Sequence, residues 1–104
     1  MELTAVTDAA KRLAAAGGGY EIVHESPGLE LGVYVLVAPE PDRQQPHADD
    51  ELYHVLDGAG TFVHEDRRLP VGPGDTLFVA AGDEHRFTDY EQLSLLVVFA
   101  RPAR

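Results

Sequence analysis

Two imidazoles and one carboxylate stand beside strand-like runs in this chain of 104 residues. His47 and Glu51 lie within Gln44-Gln45-Pro46-His47-Ala48-Asp49-Asp50-Glu51-Leu52-Tyr53, and His85 follows Gly82-Asp83-Glu84. Two His and one carboxylate suit a mononuclear metal with open coordination positions. Cysteine is absent, so disulfides, zinc–thiolate sites, iron–sulfur clusters and cysteine nucleophiles are excluded. Ser26 and Ser94 are the only serines, and neither sits in a nucleophile-elbow pattern. A metal-free alternative keeps Glu51 and His85 as a general acid–base pair tuned by burial.

Geometry constrains the metal reading. Four extended residues would carry Glu51 about 13 Å from His47. Metal donors lie about 2.0–2.2 Å from the ion, so ligands must nearly touch. A shared site therefore requires a turn at Ala48-Asp49-Asp50, where aspartates bond nearby amides readily. Strand alternation would point Gln45 the same way as His47. The same alternation puts Tyr53 and Val55 on the face of Glu51, and Phe87 and Asp89 on that of His85. A carboxylate on an apolar inward face is costly unless a metal or a protonated His pairs with it.

The elements that must position these groups are short. Residues 7–16 predict a helix capped by Thr7 or Thr4 and closed by Gly17-Gly18-Gly19. From residue 20 the pattern turns to strands at 20–24, 29–38, 52–56, 61–64, 68–71, 76–79, 85–88 and 93–100. Asp57-Gly58-Ala59-Gly60 signals a hairpin, and 39–46 a polar, proline-bearing connection. Many short strands with Gly and Pro turns point to a sandwich or closed barrel in one domain over 1–104.

Composition narrows the partners. The formal charge is −10 with only eight Lys and Arg, scattered along the chain, which disfavours nucleic acid and anionic membranes. No secretion signal or apolar run of about 18 residues stands out, and a soluble, cytoplasmic protein is expected. Apolar residues on both faces of the runs at 29–37 and 93–99 exceed what a small monomer needs inside, and a homodimer is expected.

The two blocks resemble the paired motifs of the cupin superfamily, G-x5-H-x-H-x3or4-E-x6-G and G-x5-P-x-G-x2-H-x3-N. His47, Glu51 and Gly58 match the first; Gly74, Gly82 and His85 match the second. The departures are Pro39 for the leading glycine, Gln45 for the first His, Ala80 for the proline and Asp89 for the Asn. The resemblance covers residues 44–89. It implies an all-β fold, an antiparallel double-sheet, jelly-roll-like β-barrel with a short N-terminal helix. It also implies one divalent transition metal (Fe, Mn, Ni, Zn or Cu) on His47, Glu51 and His85, with Gln45 as a weak fourth ligand or an anchor for water or substrate. Tyr34, Tyr53 and Phe87 are candidates to line a small-molecule pocket, against core packing as the alternative.

For His47 and His85 the competing assignment is an exposed loop histidine at a strand edge; for Glu51 it is an acidic surface run with Asp49 and Asp50. His24, His54 and His64 lack the motif spacing and read as surface residues, and Arg86 faces outward on alternation. An Fe(II)-dependent dioxygenase-like enzyme is the leading function. The alternatives are a metal-dependent isomerase or lyase, and a non-catalytic module that binds or senses a small ligand.

Overall fold

The computed structural model describes residues 1–100. Among these, α1 (Val6–Ala15) precedes β1 (Gly19–Ser26), β2 (Leu29–Val37), β3 (Asp50–Gly58), β4 (Gly60–His64), β5 (Arg67–Val71), β6 (Thr76–Val79), β7 (His85–Thr88) and β8 (Gln92–Ala100). The strands form two antiparallel sheets, ordered β1-β2-β8-β3-β6 and β5-β4-β7. The cupin jelly-roll arrangement fits. Among the described residues no strand pairing joins the two sheets into a closed cylinder, so the barrel is open.

Alternation builds the interior. On β3, Glu51, Tyr53 and Val55 are buried while Asp50, Leu52 and His54 are exposed. Leu93, Leu95, Val97 and Phe99 of β8 enter the same space and meet Tyr53, Phe62, Val71, Val79 and Phe87. The turn from β3 to β4 needs Gly58, which sits at φ 84°. Any Cβ there would collide with the Gln92 carbonyl, a backbone position that only glycine fills without strain.

The outer face of the large sheet is where expectation and structure part. Val33 and Val35 of β2 are buried against Ala9 and Ala10 of α1, with Val6, Leu13 and Leu96 packed around them. The helix covers this end of the two-faced apolar strands. Its start also differs: Ala5 is the N-cap and makes no side-chain bond, so neither Thr4 nor Thr7 caps it. Burial of one apolar face sustains a short helix that lacks a cap. At its far end Gly18 N–H donates to the Leu13 carbonyl at 2.8 Å, with Gly17 and Gly18 at φ 91° and 106°, the glycine closure expected from sequence.

Beyond the helix an apolar row remains, with Leu31, Val98, Leu52 and Phe78 in register across β2, β8, β3 and β6. Phe78 is 62% exposed and Leu52 42%. Leu95, at 0% exposure, carries far more of the fold. Leu95→Ala is expected to cost about 2–5 kcal/mol in urea unfolding. Phe78→Ala should change the stability of the isolated chain, at concentrations too low for assembly, by less than about 0.5 kcal/mol.

Candidate functional site

The site is made where the two sheets face each other. β3 lies between β8 and β6, which sets Glu51 opposite Phe99 and Val79 and turns its carboxylate inward. His85 opens β7 in the other sheet, opposite His64 on β4. Across the gap, His85 Nε2 stands 3.0 Å from Glu51 Oε1, with the two side chains 1% and 2% exposed. His85 Nδ1–H donates to the Asp83 carbonyl at 2.8 Å, so Nε2 is the ring atom left facing the carboxylate.

Two more groups reach this pair. Tyr53 Oη lies 2.9 Å from His85 Nε2 and donates to Gln44 Oε1 at 2.6 Å. Glu51 Oε1 is buried with no hydrogen-bond donor; its ion-pair partner is His85 Nε2 at 3.0 Å. Burial pulls the His85 imidazole down. Glu51 and the Asp83 carbonyl outweigh that, and its pKa stands above the ordinary 6.5. Burial first, then the Glu51 charge, drive the Tyr53 phenol well above its ordinary range.

His47 comes from the connection between β2 and β3, which is loop rather than strand up to Asp50. The chain bends at Ala48 and Asp49, as a shared site requires. Gly82 N–H donates to the His47 carbonyl at 2.7 Å, and Ala81 N–H to Asp50 Oδ1 at 3.0 Å, which ties the two motif segments together. The His47 ring packs edge-on against Phe99 at 4.7 Å, its centroid 6.4 Å from that of His85. Among the described residues, no three His, Cys, Asp or Glu side chains are gathered closely enough to hold a metal.

The donor chemistry nonetheless fits a cation at the buried pair. Two donors with bonds of about 2.1 Å at right angles stand about 3.0 Å apart, the separation of Glu51 Oε1 and His85 Nε2. A ligating His commonly has its other nitrogen held by a carbonyl, as Asp83 holds His85. A buried oxygen without a donor is an anomaly that a cation would resolve.

The other expected residues divide. Tyr34 lines a cavity of about 290 Å³ with Tyr20, Gln44, His47, Glu51 and Phe99. Tyr53 and Phe87 do not line it; at 0% and 1% exposure they are core, with rings 5.0 Å apart. Gln45 is exposed. Strand alternation never applied to it, because its segment is loop. Gln44 takes the inward place instead, on Asp42 and Tyr53. Neither Asp42 nor Gln44 carries a spacing signal, and only a knowledge of the loop path would have found them. His54 is exposed beside Thr76, His24 contacts Glu2 and Ser26, and His64 contacts Asp83. Arg86 is exposed. Asp89, at φ 57°, is exposed and bonds Arg68 at 2.9 Å; Asn and Asp tolerate that backbone region best among non-glycine residues.

Residues 33–99 match the cupin domain family. An uncharacterised protein of Streptomyces coelicolor is 35% identical over 94 residues, 89% of each chain. An acireductone dioxygenase of Rhodopseudomonas palustris is 43% identical over 77 residues, covering 61% of this chain and 45% of the relative. This chain thus spans less than half of that enzyme. A Thermus thermophilus crystal structure superposes with TM-score 0.80 at 24% identity, covering 98% of this chain and 100% of that one.

The electrostatics of the pair are measurable. In metal-free protein, ring NMR of His85 should titrate above 6.5. Glu51→Gln should bring it below the ordinary value, since burial then acts with less opposition. A raised folded-state pKa contributes stability that is full below the unfolded value of about 6.5 and lost as pH rises through the folded one. Chemical denaturation of the metal-free wild type should therefore show that loss on the alkaline side, and Glu51→Gln should abolish it.

Proposed function

This chain belongs to the cupin family, and we propose that it binds one divalent transition metal beside a small-molecule pocket and supports dioxygenase-like chemistry there. The observation that carries the reading is Glu51 Oε1, buried without a donor and 3.0 Å from His85 Nε2. In this reading His47, Glu51 and His85 hold the ion. When bound, an Fe(II) ion on two His and one carboxylate leaves positions for substrate and dioxygen. The similarity to acireductone dioxygenase over 77 residues supports the same reaction class.

The chain's own groups have distinct tasks. Glu51 supplies negative charge from a buried position on the cavity wall. The Asp83 carbonyl fixes the His85 ring so that Nε2 faces inward. Tyr20, Tyr34 and Phe99 shape a cavity of about 290 Å³, a volume near the lower end of small-molecule sites. Gly32 makes room for the Tyr20 ring, which any Cβ there would strike, and Tyr20 Oη donates to Glu30 Oε2 at 2.7 Å. That contact sets one wall of the pocket.

A homodimer belongs to the same proposal. Its support is the apolar row through Leu31, Val98, Leu52 and Phe78, which α1 leaves uncovered and which runs to the edge strand β6.

Purified protein should carry up to about one first-row transition ion per chain by elemental analysis. His85→Ala and Glu51→Gln should lose it, and Gln45→Ala should keep it, because Gln45 is exposed. Fe(II) loaded without air should give an iron–nitrosyl spectrum with nitric oxide; iron that binds without forming the adduct would exclude the dioxygenase reading. For assembly, light scattering should report a dimer at micromolar concentration, and Phe78→Glu a monomer.

A further inference from the structure

Asp42 lies in the loop before β3 and accepts four hydrogen bonds. Its Oδ1 takes Tyr34 O–H at 2.8 Å and Gln44 N–H at 3.2 Å. Its Oδ2 takes Gln44 Nε2–H at 2.6 Å and Phe87 N–H at 2.9 Å. A carboxylate only accepts, so the NH₂ end of the Gln44 amide must face Asp42. The carbonyl end, Oε1, is then the atom left for Tyr53, 2.6 Å away. A phenol has one proton to give. With that proton on Gln44, the Tyr53 oxygen presents lone pairs to His85 Nε2, 2.9 Å distant.

We infer that Gln44, held by Asp42, is a positioning residue that turns the Tyr53 hydroxyl proton away from His85 Nε2, so that the buried gap beside Glu51 offers lone pairs and no O–H donor. Nothing in this direction depends on the core, because Tyr53 packs against Phe87 and Phe62 through its ring. It depends on an amide in the loop. Without Gln44 Oε1 the hydroxyl turns to its remaining neighbours, His85 Nε2 and the Glu51 carboxylate, and occupies a lone pair that a cation needs. The metal arm of this inference rests on the proposed metal site; the hydroxyl direction does not.

A double-mutant cycle on the full chain tests it, with Ni(II) as the probe in calorimetry at one pH. Gln44→Met keeps the volume and removes the acceptor, and Gln44→Ala removes it without bulk. Each should weaken Ni(II) binding about tenfold or more, the range seen when outer partners of metal ligands are lost. Tyr53→Phe has no hydroxyl to misdirect. Gln44→Met combined with Tyr53→Phe should therefore bind within about threefold of Tyr53→Phe alone, the non-additivity of residues acting through one group. A double variant as weak as Gln44→Met would show that Gln44 acts through loop shape, and would overturn the inference. So would single Gln44 variants that bind like wild type.

The metal-free protein supplies the second readout. At a pH high enough to leave the His85 ring neutral, with Nε2 unprotonated, the buried Tyr53 hydroxyl proton should show through-bond coupling to His85 Nε2 in Gln44→Met and none in wild type; coupling in wild type overturns the inference. Were wild type to bind no Ni(II), the metal proposal would fall while this spectrum still decided the direction of the hydroxyl.

Discussion

Glu51 is a carboxylate at 2% exposure inside a sheet whose neighbours are Tyr53, Val55, Val97 and Phe99. Moving such a group out of water costs several kcal/mol even after relaxation. His85 offsets part of that cost at 3.0 Å, yet one carboxylate oxygen still lacks a donor. Two well-packed apolar side chains in these places would serve the fold as well or better. Stability is therefore a weak account of the pair, which is why the proposed function rests on it.

The sheet order makes the pair available. β3 is threaded between β8 and β6, so Glu51 is gripped by a ladder on each side. His85 begins β7, bonded to β4 in the opposite sheet. The two groups approach because two sheets face each other, and the aromatic packing of Tyr53, Phe62 and Phe87 sets that spacing. On the far side, α1 seals Val33 and Val35. The large sheet thus has an inner face that holds the site and an outer face given over partly to the helix.

Much of this is legible in the amino-acid sequence alone. Glycines and β-branched runs mark all eight strands to within a few residues, and period-two alternation on β3 correctly separates Glu51 from His54. The two motif blocks adjoin, with Gly82 N–H bonded to the His47 carbonyl and Ala81 N–H to Asp50. Alternation fails where the backbone stops being a strand: at Gln45 it gives an inward residue, and the loop turns Gln44 inward instead. The helix cap is invisible for another reason. Local propensity names Thr4 and Thr7, whereas tertiary burial of Ala9 and Ala10 decides where α1 starts. Asp42 shows the same limit, since its four donors come from β2, β7 and its own loop.

That loop has a consequence for how the proposed site would bind. Glu51 and His85 stand on ladders and are already within one donor–donor spacing, whereas His47 stands on a connection held by single bonds such as Gly82 N–H to its carbonyl. Its ring rests against Phe99 rather than with the pair. A cation would meet a two-point site first and gain its third donor only when the loop turns His47 off Phe99. Apparent affinity then falls by the fraction of molecules in which His47 faces the gap. Asp42 and Gln44 sit between the fixed and the adjustable parts, bonded to β7 through Phe87 N–H and to β3 through Tyr53. Affinity at such a site would thus be set less by the strands that carry the motif than by the polar loop between Pro39 and His47, which side-chain hydrogen bonds hold in place.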